Sequence, residues 1–203
     1  MSQIFRKLVG VAVVGALALS LGSCSDKNTA GHDAVAIGGQ FQFHSPGGKT
    51  EIFYSEDERE PVGNVSGDDL VNPGKTINLD DYAGKVVVLN AWGQWCAPCR
   101  AEVDDLENVQ TELEKSGQGT VLGINVRDHN RQIAQDFIKD NDVNYPSIYD
   151  PPFLAAASLG GIPASVIPTT IVLDKQHRPA AVFLRSITDK EILDVVRPLL
   201  EES

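Results

Sequence analysis

The chain has 203 residues, 42% of them hydrophobic and 22% charged, which suits one soluble globular domain with appendages. Its formal net charge of −11 argues against a nucleic-acid partner, because phosphate binding needs clustered Lys and Arg. Its three cysteines are Cys24, Cys96 and Cys99.

Arg6 and Lys7 precede an uncharged run over residues 8–21, and Gly22-Ser23 closes that run with small residues. This is the three-part layout of a secretory signal, and the run falls short of the roughly 20 apolar residues that cross a bilayer. Leu21-Gly22-Ser23-Cys24 resembles the bacterial lipobox. That resemblance implies a signal peptide over residues 1–23 and a lipid on Cys24, holding the chain to the extracytoplasmic face of the cell membrane. An uncleaved anchor or an unmodified secreted protein are the alternatives. Cleavage before Cys24 would remove Arg6 and Lys7 and no acid, moving the net charge from −11 to −13. Lipidation of Cys24 would leave Cys96 and Cys99 without a competing thiol.

Residues 24–39 are small and polar and read as a flexible tether, with His32 a solvated part of it. The folded body is expected over residues 40–203. Phe41 and Phe43 on one side of Pro46-Gly47-Gly48, and Ile52-Phe53-Tyr54 on the other, suggest a β-hairpin or a pair of strands. Residues 55–61 read as an acidic loop, and Asn72-Pro73-Gly74-Lys75 as a turn. No chemistry attaches to residues 41–69.

Val86-Val87-Val88-Leu89, after the turn signal at Gly84, is a β-branched run that predicts a buried strand. Val103, Leu106, Val109 and Leu113 follow at helical spacing, predicting a helix of roughly four turns over residues 100–115. Residues 120–126 read as a second buried parallel strand, and Asp128 as the N-cap of a helix bearing Ile133, Ala134, Phe137 and Ile138. A short strand at residues 147–149, a helix over 153–159 ended by Gly160-Gly161, and strands at 169–174 and 181–185 come next. Thr188 and Glu191 have the spacing of a capping box that opens a last helix, and Pro198 is expected to kink or end it. This order predicts an α/β domain with a mixed sheet, parallel first and antiparallel last, and helices on both faces.

Cys96-Ala97-Pro98-Cys99 therefore falls where a strand hands over to a helix. A zinc site would need about four ligands, and there is no second cysteine pair, nor an H-x₃₋₅-H spacing at His129 or His177. A structural staple closing so short a loop would contribute only about 2 kcal/mol by chain entropy. Dithiol–disulfide exchange fits directly. A helix N-terminus favours a thiolate on Cys96, expected to be the more exposed of the two, and places Cys99 one turn in, ready to resolve a mixed disulfide. Pro98 lies in the first turn, where its missing N–H is harmless.

The run from Val88 through Trp92, Trp95 and the cysteine pair to Glu102 resembles the active-site segment of the thioredoxin superfamily, and most of all its exported TlpA/ResA type. Val166-Ile167-Pro168-Thr169-Thr170 resembles that superfamily's second landmark, a loop whose proline is cis and lies against the disulfide. The resemblance covers about residues 77–201. It implies a thioredoxin-like fold with an N-terminal β extension and a central helix–strand insertion at about residues 128–149. It also implies that Asn90 stands where thioredoxins have a buried Asp, and that Glu102 matches an active-site glutamate whose plainer reading is an exposed first-turn acid. A cis bond before Pro168 would turn the Ile167 backbone toward a bound partner. Trp95 would shield the disulfide and touch that partner, and Trp92 would lie in the core.

The function implied is a membrane-anchored thiol–disulfide oxidoreductase, monomeric and without a cofactor beyond its own disulfide. It would act on cysteine-containing proteins, as a reductant in cytochrome c maturation fed by a membrane thiol donor, with apocytochrome c as substrate. A peroxiredoxin-like peroxidase is the enzymatic alternative, although position 93 is Gly where that chemistry needs Thr or Ser. A lipoprotein binding module or chaperone on the same scaffold is the non-enzymatic one.

Overall fold

The computed structural model describes residues 39–202. The signal and tether readings over residues 1–38, Cys24 included, lie outside them.

The β-branched run becomes β4 (Val86–Trp92), in which every residue is buried. Both of its edges are hydrogen-bonded: parallel to β5 (Gly119–Asn125), antiparallel to β7 (Thr169–Leu173). Around it forms one eight-stranded sheet. On one side β7 turns into β8 (Pro179–Phe183), which pairs with the extension strand β1 (Glu51–Phe53), all antiparallel. On the other, β6 (Ser147–Tyr149) is parallel to β5, and the hairpin β2 (Ser66–Asp69) and β3 (Thr76–Asn78) is antiparallel to it. Parallel pairing thus holds the middle and antiparallel pairing both flanks.

Alternation along β4 feeds two cores. Val86 and Val88 pack with Val121, Val172 and Phe183 beneath α2 (Val103–Ser116) and α5 (Asp189–Glu201), whose Leu106, Val109, Leu113, Ile192 and Val196 are buried there. Val87, Leu89 and Ala91 face the other way, against Leu122, Ile124, Ile171 and the cover formed by Phe41, Tyr54, Phe153 and Leu159 around the short α4 (Ala155–Ser158). A third cluster sits at the end of β4, where Trp92 meets Cys96, Cys99 and Leu70 under Ala134 and Ile138 of α3 (Arg131–Asp140).

Several local expectations are corrected. Residues 41–54 form no hairpin: Phe41 N–H donates to Pro61 and Phe43 N–H to Gly160, so only residues 51–53 join the sheet. The β2–β3 hairpin was hidden because Ser66-Gly67-Asp68-Asp69 has no strand-forming side chains. Gly67 is needed there, since a Cβ would come within 2.5 Å of Ile148 Cγ2. The helix after the cysteines is two pieces, α1 (Ala97–Ala101) and α2, broken at Glu102 (ψ 0°). Asn130, not Asp128, caps α3 by accepting from Gln132 N–H. The Thr188–Glu191 capping box forms, but α5 runs through Pro198 to Glu201. So late in the helix the proline removes one amide bond, and Glu202 N–H closes the last turn on the Pro198 carbonyl.

Gly123 of β5 sits under the indole of Trp92, where an added Cβ would lie 2.1 Å from Ser147 Oγ and 2.8 Å from Trp92 Nε1. Both neighbours are buried and hydrogen-bonded to each other at 3.3 Å. Gly123→Ala is therefore expected to destabilise the fold by about 1–3 kcal/mol, read as a lower urea midpoint at unchanged slope. A midpoint equal to wild type would mean that the Trp92–Ser147 contact is not held as described.

Candidate active site

Cys96 occupies the N-cap position of α1 with extended backbone (φ −88°, ψ 107°), and its sulfur accepts the Cys99 N–H at 3.2 Å. The two cysteines form a disulfide, with Cα atoms 5.3 Å apart. Cys96 is not the more exposed: it is 3% accessible and Cys99 5%. The cover comes from across the sheet, where the Ile167–Pro168 peptide is cis and the Ile167 carbonyl oxygen lies 3.8 Å from Cys96 Sγ. Proximity to the 167–168 loop, rather than position along the helix, sets the accessibility of Cys96. Ala97 and Pro98 are exposed beside it.

Trp95 is 41% exposed, and its indole folds back rather than standing free. Its Nε1–H donates to the Val126 carbonyl at 3.0 Å, and the Arg127 guanidinium carbon lies 5.5 Å from the ring centroid. Gly93 makes this possible, because a Cβ there would be 2.3 Å from Trp95 Nε1. Trp92 is buried, bonded to Ser147 and tilted against Phe137 with ring centroids 5.4 Å apart, so it floors the disulfide cluster.

Glu102 is 1% exposed, which removes the reading of an ordinary surface acid. Its position at the break between α1 and α2 turns the carboxyl inward. One oxygen accepts from Asn90 Nδ2 at 3.0 Å and the other from Ile187 N–H at 3.2 Å. Asn90 Nδ2 also donates to Thr170 Oγ1 at 3.0 Å. Burial pushes the Glu102 carboxyl up to about 7, against the opposing pull of the hydrogen bonds from Asn90, Ile187 and Ser186, and nearby Asp105 adds to the rise. The structure thus brings Asn90, Glu102, Thr170 and the cysteine pair to one end of β4, with Ile167 and Pro168 facing them.

Two residues of this region carried no signal for it in the sequence. Asp128 is buried and accepts from Gln94 N–H at 2.9 Å and Asn125 Nδ2 at 2.7 Å, so it anchors the segment before the cysteines. Arg127 bridges Trp95 to the Ala164 carbonyl. Neither contact follows from spacing along the chain. Among the described residues, no group of three or more His, Cys, Asp or Glu side chains is arranged to hold a metal ion, and no helix is long and apolar enough to cross a membrane.

Comparison with known proteins agrees with this geometry. The sequence model of the AhpC/TSA family matches residues 62–178. The thiol-disulfide oxidoreductase ResA of Bacillus subtilis is 30% identical over 121 residues, a span covering 60% of this chain and 65% of that protein, just under two thirds of its length. The crystal structure of a secreted thiol-disulfide isomerase from Corynebacterium glutamicum is 65% identical, with a TM-score of 0.79 over 81% of this chain and all of that one. A DsbF homologue from Corynebacterium diphtheriae is 63% identical, with a TM-score of 0.76 over 79% and 99% of the two chains. The chain belongs to the AhpC/TSA family of thioredoxin-like proteins and is a thiol–disulfide oxidoreductase.

Proposed function

We propose that Cys96 and Cys99 exchange dithiol for disulfide with cysteines of other proteins, outside the cytoplasm, with the chain anchored by a lipid on Cys24. The observation that carries the reading is the buried Cys96–Cys99 disulfide with the Cys99 N–H on Cys96 Sγ, faced by the Ile167 carbonyl. In the reducing direction, a Cys96 thiolate attacks one sulfur of a substrate disulfide and expels the other as a thiolate. Cys99, once deprotonated, attacks Cys96 Sγ of the mixed disulfide and releases the second substrate thiol. Two electrons pass to the substrate and the Cys96–Cys99 bond re-forms. The Cys99 N–H stabilises negative charge on Cys96 Sγ. With only five residues in α1, this single bond matters more there than the summed helix dipole.

The secreted relative from Corynebacterium glutamicum and the signal-like residues 1–23 support the location. The reducing direction, with haem-attachment cysteines of apocytochrome c as the substrate class and a membrane thiol carrier as the electron donor, carries over from the resemblance to the exported TlpA/ResA type, and the identity with the Bacillus subtilis oxidoreductase fits it. Glu102 and Asn90 support the same direction. Glu102 stands three residues after Cys99, and once ionised, as the pH passes about 7, its carboxylate disfavours the thiolates that a strong oxidant must stabilise in its reduced form. The roles follow: Cys96 attacks, Cys99 resolves, Glu102 exchanges the proton, Asn90 holds Glu102, and Ile167, Pro168 and Trp95 line the approach of the partner. A peroxidase would need a hydroxyl side chain at position 93, and the space for one is taken by the Trp95 indole.

Equilibration in thiol redox buffers is expected to place the Cys96–Cys99 couple well below the roughly −120 mV of a strong oxidant of the DsbA kind. A value near −120 mV would contradict the reducing role. Glu102 also gives the fold a pH dependence with a definite sign. Its carboxyl rises from 4.5 to about 7 on folding, so the folded state holds the extra proton between those values. Its contribution is fully present below pH 4.5 and is lost as the pH rises through 7. Relative to Glu102→Gln, the wild type should therefore lose stability on the order of 3 kcal/mol from pH 4 to pH 8. Urea midpoints across that range check this, and parallel curves for the two proteins would refute it.

A further inference from the structure

Arg127 is one of four non-glycine residues with positive φ among the described residues, at 59°. A left-handed arginine costs free energy unless its surroundings hold it, and here they do. Its N–H donates to Pro151 O at 3.0 Å. On one side Val126 bonds to β4 through its N–H (to Trp92 O, 2.8 Å) and to Trp95 through its carbonyl. On the other the Asp128 carboxylate is fixed on Gln94 N–H and Asn125. The reversal at residue 127 thus carries the side chain toward Trp95 and the 164–167 segment. There the guanidinium lies over the Trp95 ring at 5.5 Å and donates to the Ala164 carbonyl.

These two contacts belong to opposite walls. Trp95 adjoins Cys96, and Ala164 begins the segment that ends in Ile167, whose carbonyl faces Cys96 Sγ at 3.8 Å. We propose that Arg127 is a positioning residue for polypeptide substrates: it ties the Trp95 wall to the 164–167 wall and so fixes the width of the cleft in which a cysteine-bearing segment must lie. This rests on the exchange reaction proposed above. Arg127 touches neither sulfur and stays exposed, so it acts through Trp95 and Ala164 and not on the thiols. A planar guanidinium can stack on the indole and donate to the carbonyl at once, which an ammonium does poorly. A small dithiol reaches the disulfide without lying along either wall, whereas a peptide needs both, and that difference makes the role measurable.

The test compares two reactions of the full-length protein: oxidation of its reduced form by a synthetic peptide of about ten residues carrying an oxidised Cys-x-x-Cys, and re-reduction of its oxidised form by dithiothreitol. Arg127→Ala is expected to raise the KM for the peptide about tenfold with kcat and the dithiothreitol rate within about twofold, since misplaced walls cost binding orientation. Arg127→Gln, which keeps length and an N–H for Ala164, should fall between Arg127→Ala and wild type, and serves if the alanine variant melts early. In a Trp95→Phe background, Arg127→Ala should cost less than about twofold more, because the two side chains act as one unit. Equal losses with both probes, an unchanged peptide KM, or a full additional loss in the Trp95→Phe background would overturn the assignment. Failure of the wild type to react with the peptide at all would instead refute protein-thiol exchange, and the dithiothreitol rate separates that case from an inactive preparation.

Discussion

Everything chemically distinctive in this protein hangs on the carboxyl end of one strand. β4 is hydrogen-bonded along both edges and buried on both faces, so its last residues have no freedom to drift. Asn90 and Trp92 leave it on the α2/α5 side, and Cys96 follows after a turn that bends tightly enough for Cys96 N–H to donate to Gly93 O at 3.0 Å. The antiparallel neighbour β7 enters the sheet directly after the cis Ile167–Pro168 bond, with Thr170 paired opposite Asn90. Strand pairing itself therefore delivers the disulfide, the carbonyl facing it and the Asn90–Thr170 contact to one place. The loops refine positions that the ladder has already set.

Glu102 shows how the helix break serves that arrangement. A continuous helix from Ala97 would carry residue 102 on along a regular spiral. The break at ψ 0° instead lets the carboxyl reach Asn90 on β4 and the Ile187 amide before α5. With neutral donors and no basic side chain to balance it, the buried carboxyl holds its proton to about 7. An acid that titrates near neutrality, buried at the end of β4 that carries a cysteine pair, suits proton exchange in thiol chemistry better than a permanent charge would.

The parts legible in the sequence were those carried by periodicity or by motif. The valine run announced β4, the Leu106–Leu113 spacing announced α2, and Thr188 with Glu191 announced the start of α5. Glu102 was legible only in part: standing three residues after Cys99 it shares that helix face, but spacing left an exposed first-turn acid as its plainer reading, and its burial follows from the contacts with Asn90 and Ile187. What escaped was fixed by contacts between distant segments. β2 is polar and becomes a strand only because β6 offers an edge and Ile148 leaves room for Gly67. Asp128 has good capping chemistry, but a better use in holding Gln94. The equal burial of Cys96 and Cys99 depends on a loop more than 60 residues away, which no local pattern reports.

The central claim is that Cys96 attacks and Cys99 resolves. Its most direct measurement is covalent capture: Cys99→Ser and Cys96→Ser variants are each mixed with a protein disulfide and analysed by non-reducing electrophoresis and mass spectrometry. The account predicts a stable mixed disulfide through Cys96 in the Cys99→Ser variant and little or none in the Cys96→Ser variant. Equal capture by the two variants, or capture through Cys99 alone, would contradict it.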